Sequence, residues 1–229
     1  MPISISHDIP QDTFQEWWQR QGEWVEEPNV RRGGESGVQR LSDRGSVLYA
    51  KRQIGHVYRS LLHPFGRLTL LRERRALLSL NKLGVRVPRL VYCGIDNDPV
   101  QGWRGVLVTE ALEGFEHVEQ WYAKGGRGAC GEAKHALLMQ QIGATLARMN
   151  LGRWQHGCLY AKHVFVRMNG DLPQVALLDL EKSRQRLSRS RAARHDLRQL
   201  RRHSPWSDED WQQLLEGYAR VYPGGLKKL

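Results

Sequence analysis

Along SVLYAKRQ (46–53), Val47, Tyr49 and Lys51 alternate with Leu48 and Ala50, and this two-residue period predicts a strand. Just upstream, RRGGESGVQRL (31–41) reads as a glycine-rich turn entering another strand, the two joined as a hairpin near Asp43, Arg44 and Gly45. From Leu68 to Leu83 the period lengthens. Glu73, Leu77 and Leu80 recur at i, i+4 and i+7, which places them on one face of a helix. GVRVP (84–88) ends that helix, strands are predicted over 89–93 and 105–110, and Glu113-Gly114 reads as a connector. A long helix follows over about 132–149, striped by Leu138, Ile142, Thr145 and Met149. Strands over 164–166 and 175–180 flank a turn at Asn169-Gly170. Ser207 and Asp210 form a capping box ahead of a helix that turns Trp211, Leu214, Tyr218 and Val221 inward, and Pro223-Gly224 stops it.

The strand-rich first half and helix-rich second half predict an α+β fold of two lobes with a cleft between them. The expected divisions are an N-terminal helical arm over 1–30, carrying Trp17, Trp18 and Trp24, an N-lobe over 31–112 and a C-lobe over 113–229. A chain of 229 residues is long enough for such a core, and 40% hydrophobic residues argue against disorder throughout.

Charge narrows the partners. Lys plus Arg number 35 against 24 acids, a net +11. That balance suits a nucleotide, a phosphorylated glycan, a membrane face or nucleic acid, and solubility alone accounts for it equally well. Cys93, Cys130 and Cys158 are scattered without a CxxC, which argues against a disulfide framework or a structural zinc site and for a reducing compartment. MPISISHDIP lacks the basic start and apolar core of a secretory signal, and no apolar run approaches the roughly 20 residues of a membrane span. The expected location is cytoplasmic, with peripheral membrane contact open.

Phosphoryl transfer needs positioned charges more than covalent chemistry. Gly33, Gly34 and Gly37 would let backbone N–H groups approach a phosphate, since no Cβ intervenes, although GGxxG also fits a plain hairpin turn. Lys51, on the next strand, would reach the phosphates, or would simply be solvated. Glu73 lies in phase with Leu77 and Leu80, and a buried carboxylate needs a cation. Lys51 is the natural partner; Arg72, Arg74 and Arg75 are the surface alternative. In HGCLYAKHVF (156–165), a kinase loop of the form H-x-D-x-x-x-x-N would have its aspartate and asparagine where Cys158 and His163 stand. Asp179 ends the apolar run VALL and suits Mg²⁺ bound to phosphate oxygens; a turn or helix cap is the plain alternative. Glu181 would face the same side if the strand continued, as a second ligand. The order of these parts along the chain is more specific than any one of them.

HGCLYAKHVFVR and LLDLEKSR resemble the bacterial lipopolysaccharide kinase family of heptose and Kdo kinases, closest to its InaA branch, with similarity from about 31 to 203. The resemblance implies a protein-kinase-like fold, ATP with Mg²⁺, and a sugar hydroxyl of the lipopolysaccharide inner core as acceptor. It implies that Lys51 is the ATP lysine, Glu73 its partner, Asp179 the metal ligand and Asp196 a structural aspartate of the C-lobe. Some members carry histidine at the position of His163. Active members have aspartate where this chain has Cys158.

A thiol with a pKa of about 8.5 is mostly neutral at pH 7 and a poor proton acceptor unless a cation such as Lys162 lowers that value. His163 or Glu181 could supply a base from beside it. Imidazole is a poor Mg²⁺ ligand, so one ion on Asp179 is expected rather than two. Two readings stay open: a kinase of weakened activity, and a pseudokinase that binds nucleotide or serves as a stress-response scaffold. KSRQRLSRSRAARHDLRQLRRH (182–203) carries nine Lys or Arg against Asp196 alone and would suit an anionic glycolipid, or be a solvated helix face. Its arginines are not interleaved with aromatic residues, which argues against nucleic acid.

Overall fold

Alternation and helical phase resolve into a sheet-based N-lobe and a helical C-lobe in the computed structural model, which describes residues 13–222 apart from 32, 44, 62 and 169–171. The turns expected at Arg44, Asn169-Gly170 and Pro223-Gly224 therefore lie at least partly outside the described residues. Helix α1 (Phe14–Gln19) starts at Thr13, which forms a capping box with Glu16. Strands β1 (Glu23–Arg31), β2 (Gly34–Asp43) and β3 (Ser46–Ile54) follow, then a small hairpin of β4 (Val57–Ser60) and β5 (His63–Leu68). After helix α2 (Leu70–Lys82) come β6 (Leu90–Asp98) and β7 (Gly102–Glu110). The main sheet is antiparallel, in the order β1-β2-β3-β7-β6.

The helical arm expected over 1–30 needs correction, because residues 23–31 form the sheet's edge strand. Edge position explains the weak signal. Register slips between Glu26 and Asn29, around Pro28, a residue that edge strands and bulges accommodate. Gly37 makes the pairing close, since a Cβ there would lie 2.8 Å from the Trp24 ring.

The two faces of β3 have separate duties. Leu48 and Ala50 pack with Val106, Val108, Leu41 and Trp17 beneath α1. Lys51 faces the other way, towards α2. There Leu70, Ala76, Leu77 and Leu80 join the main core. Gln53, fully buried, fixes the start of α2: its carbonyl accepts Leu70 N–H at 3.0 Å and its amide donates to Thr69 Oγ1 at 2.8 Å. Thr69 makes no side-chain cap of its own.

The C-lobe contains β8 (Glu116–His117), α3 (Val118–Ala123), α4 (Gly126–Leu151), β9 (Trp154–Gln155), β10 (Val164–Arg167), β11 (Gln174–Leu177), β12 (Arg184–Gln185), α5 (Arg189–Arg202) and α6 (Asp208–Val221). Helix α4 starts earlier than its apolar stripe predicts and is kinked at Gly131, whose φ is 76°. Its main segment crosses α6 with glycine on both sides. A methyl on Gly143 would collide with the Leu214 carbonyl, and one on Gly217 with the Gln140 carbonyl. Strand β11 ends at Leu177, short of the expected 180, because Asp179 turns the chain with φ 57° and ψ 59° into a 3-10 turn over Leu180–Lys182. No helix among the described residues is long and apolar enough to cross a membrane.

Candidate functional site

The ion pair expected between Lys51 and Glu73 is present, and it is one half of a three-charge cluster. Lys51 Nζ donates to Glu73 Oε2 at 2.8 Å and to Glu181 Oε2 at 2.6 Å. His56 Nε2 lies 3.4 Å from the other Glu181 oxygen. All three ion-pair side chains are largely covered. Burial alone would lower the lysine's pKa, but Glu73 and Glu181 outweigh it and hold the value well above its usual range. Burial pushes Glu73 upward, partly offset by Lys51. Glu181 goes the other way: burial opposes it, yet Lys51 brings it down to about 2.

Glu181 thus departs from its expected place as a second metal ligand or substitute base beside Asp179. The strand does not continue. The left-handed backbone at Asp179 swings the next residues round, and Glu181 reaches back to Lys51 and His56.

The loop after α4 is built around Asp196, which is completely buried. Its carboxylate accepts His156 N–H at 2.8 Å, Gly157 N–H at 3.3 Å and the Asn150 amide at 3.1 Å. Asn150 also donates to Trp154 O at 2.9 Å and accepts from Tyr218 OH at 3.0 Å, so α4, α5 and α6 all brace the loop. Ser183 Oγ donates to the His156 carbonyl at 3.1 Å, tying the loop to the segment after Asp179. His156 Nε2 donates to Leu178 O at 2.8 Å, and its ring stacks on His163 with centroids 5.6 Å apart. Burial lowers the pKa of both histidines.

Cys158, His163 and Asp179 converge here. Cys158 is buried, and Lys182 Nζ donates to its sulfur at 3.6 Å. His163 Nδ1 contacts the Cys158 carbonyl at 2.6 Å, and since a carbonyl can only accept, that nitrogen carries the proton. His163 Nε2 lies 3.3 Å from Asp179 Oδ2. Asp179 is the exposed member of the group, with 43% of its side chain accessible.

The glycine turn lies at the far end of the β2–β3 ladder, where Glu35 pairs with Ile54. Gly33 has φ 71° and open space around it, as the turn requires. Gly34 sits against the backbone of Gly55 and His56, leaving no room for a Cβ, and Gly37 makes way for Trp24. Close packing within the N-lobe therefore accounts for Gly34 and Gly37 without a ligand.

The basic segment forms α5, capped by Ser188, and beside it runs a groove of about 740 Å³ lined by Arg186, Arg191, Arg194, Arg198 and Arg202. Tyr160 connects this groove to the loop, its ring 4.5 Å from His203 and 5.4 Å from His163.

Sequence reasoning missed His56, Asn150 and Lys182 as parts of the site. Asn150 had a readable signal, lying four residues after Leu146 in the buried phase of α4. His56 had none, since only sheet closure carries it to Glu181.

A family model described as the lipopolysaccharide kinase (Kdo/WaaP) family matches residues 15–218. The chain is 38% identical over 209 residues to Protein InaA of Escherichia coli (strain K12), a similarity covering 90% of this chain and 95% of that relative. A solved structure of WaaP in complex with acyl carrier protein is similar with a TM-score of 0.70, over 91% of this chain and 83% of that one. At 18% identity, this likeness carries the fold.

Proposed function

Because the chain belongs to the lipopolysaccharide kinase (Kdo/WaaP) family, we propose that it is an ATP-dependent phosphotransferase to a sugar hydroxyl of the lipopolysaccharide inner core, slowed by Cys158. The observation that carries this reading is Lys51 held by Glu73 and Glu181 on the sheet face towards Asp179. Lys51 neutralises phosphate oxygens, and the two carboxylates fix its direction. The Gly33–Gly37 turn lies over the same end of the sheet as His56.

Asp179 fits Mg²⁺, being an accessible carboxylate at a turn, and an ion there would offset charge on the phosphate oxygens. The nitrogen of His163 suits Mg²⁺ poorly, so Asp179 is the magnesium ligand among these residues. The arginines along α5 bind the acceptor's anionic groups and provide contact with an anionic membrane face. At the base's position Cys158 offers a buried thiol beside Lys182 in place of a carboxylate. Losing a positioned base costs about 10²- to 10⁴-fold in rate.

That same substitution favours a second reading, a pseudokinase that binds nucleotide and acts as a scaffold. Calorimetric titration of ATP with Mg²⁺ tests what the two share. Binding by the chain, abolished in Asp179→Ala, is the expected result. No binding at millimolar ATP would refute nucleotide recognition. Transfer to inner-core glycan by the wild-type chain then separates kinase from pseudokinase.

A further inference from the structure

The cysteine spacing carries no zinc signature, yet the fold brings a thiol, an imidazole and a carboxylate together from separate stretches of chain. Cys158 Sγ, a ring nitrogen of His163 and an Asp179 oxygen lie within 4.8 Å of one another. Bond lengths of about 2.0 Å to nitrogen and 2.3 Å to sulfur would need each donor to draw in by less than about 1 Å.

The tautomer of His163 is the more telling observation. Nδ1 spends its proton on the Cys158 carbonyl, so Nε2 of the neutral ring presents a lone pair. That nitrogen faces Asp179 Oδ2 at 3.3 Å, an arrangement that calls for a cation between the two, a proton or a metal ion. Metal-ligating histidines are held in this way, with the far N–H on a carbonyl and the near nitrogen free to coordinate. The rings of His156 and Tyr160 flank His163 and limit its rotation.

We infer that Cys158, His163 and Asp179 form a site for a borderline-soft divalent ion, of which Zn²⁺ is the representative case. Sulfur, nitrogen and carboxylate together suit Zn²⁺ or Co²⁺, whereas Mg²⁺ takes oxygen. Three protein ligands leave a fourth position open, on the side where Asp179 is accessible. Lys182, now 3.6 Å from the sulfur, is exposed enough to swing away as an ion enters. The thiol proton leaves to solvent as the ion binds. One consequence rests on the nucleotide reading above: Zn²⁺ and Mg²⁺–ATP would compete for Asp179. The ion site itself does not depend on that reading.

The test is a Co²⁺ titration of the full chain carrying Cys93→Ser and Cys130→Ser, followed by absorption and then by Zn²⁺ displacement. Expected is a thiolate-to-cobalt band that saturates at one equivalent, disappears on adding Cys158→Ser, and needs more than about tenfold higher Co²⁺ with His163→Gln. If the double serine variant does not fold, Cys158→Ser in the wild-type background gives the same comparison. Absence of the band, or a band indifferent to Cys158 or His163, overturns the site and leaves a proton shared between His163 and Asp179. Mg²⁺–ATP binding to the chain stripped of transition metal is measured separately. Its failure would refute the nucleotide reading while the cobalt result stood.

Discussion

Lys51 Nζ lies 2.6 Å from Glu181 Oε2, an ion pair that joins residues 130 apart and ties the central strand of the N-lobe to the segment after Asp179. With Glu73 at 2.8 Å on the same nitrogen, one ammonium holds two carboxylates in a largely covered space. The cluster fixes the lysine and at the same time couples α2 and β3 to the C-lobe.

Removing the cation should therefore do more damage than removing one anion. Lys51→Met leaves Glu73 and Glu181 facing each other with only His56 beside them, and should cost about 3–5 kcal/mol of stability. Glu181→Gln leaves a balanced Lys51–Glu73 pair but gives up a charge-assisted hydrogen bond, and should cost less, about 1.5–3 kcal/mol. Urea unfolding of the two variants checks the order. Equal losses would mean that the cluster is not electrostatically coupled.

Much of this was legible in the sequence. Alternation around Lys51 and the helical phase of Glu73 with Leu77 and Leu80 are enough to put both residues on facing surfaces. Asp179 was marked by the apolar run before it. The position of Glu181 was hidden because it depends on a left-handed turn at a non-glycine residue, which local propensity does not favour. β1 was hidden because an edge strand broken by Pro28 lacks alternation. The meeting of Cys158, His163 and Asp179 is a matter of tertiary closure, and no spacing rule encodes it.

Asp196 should be the loop's most sensitive structural residue. Asparagine there would lose the charge shared by the His156, Gly157 and Asn150 donors, with His195 beside them, and would set an amide N–H against one of them. Asp196→Asn should cost about 3 kcal/mol. Hydrogen exchange should rise first at the amides of His156 and Gly157. Unchanged protection there would refute the bracing role.

Two glycines of α4, on either side of its kink at Gly131, should respond in opposite ways. At Gly143 a methyl would meet the Leu214 carbonyl and the Tyr218 nitrogen, 2.7 Å away, forcing the helices apart. Gly143→Ala should destabilise by about 1–3 kcal/mol. At Gly128 an added methyl would meet no atom within 4 Å, so Gly128→Ala should gain up to about 1 kcal/mol from helix propensity. Thermal melting of both variants gives the comparison.

Stability should fall as the solution is acidified below neutrality, with His135 as one source. It is buried between α3 and α4, stacked on Trp121 and 3.5 Å from Asp210. Burial lowers its pKa below 6.5; Asp210 and Glu132 oppose the shift and Arg127 adds to it. The unfolded chain therefore binds more protons below about pH 6.5, and stability is lost as pH falls through that value. The slope from this one group is at most about 1.4 kcal/mol per pH unit. His135→Gln should flatten the unfolding free energy between about pH 7 and pH 5. An unchanged slope would assign the effect to other groups.

Placing a carboxylate at position 158 tests the proposed phosphotransferase reading. In Cys158→Asp the new side chain would sit beside Lys182, which now reaches the sulfur at 3.6 Å and would compensate the added charge. Phosphate transfer from ATP should rise by about 10²- to 10⁴-fold, with ATP affinity little changed, because a base acts on the chemical step rather than on binding. The thiolate-to-cobalt band should vanish in the same variant. A gain in transfer would show that a carboxylate at position 158 can act as a base in this chain. A well-folded variant that binds ATP and transfers no faster would count against base loss as the cause and favour the scaffold reading.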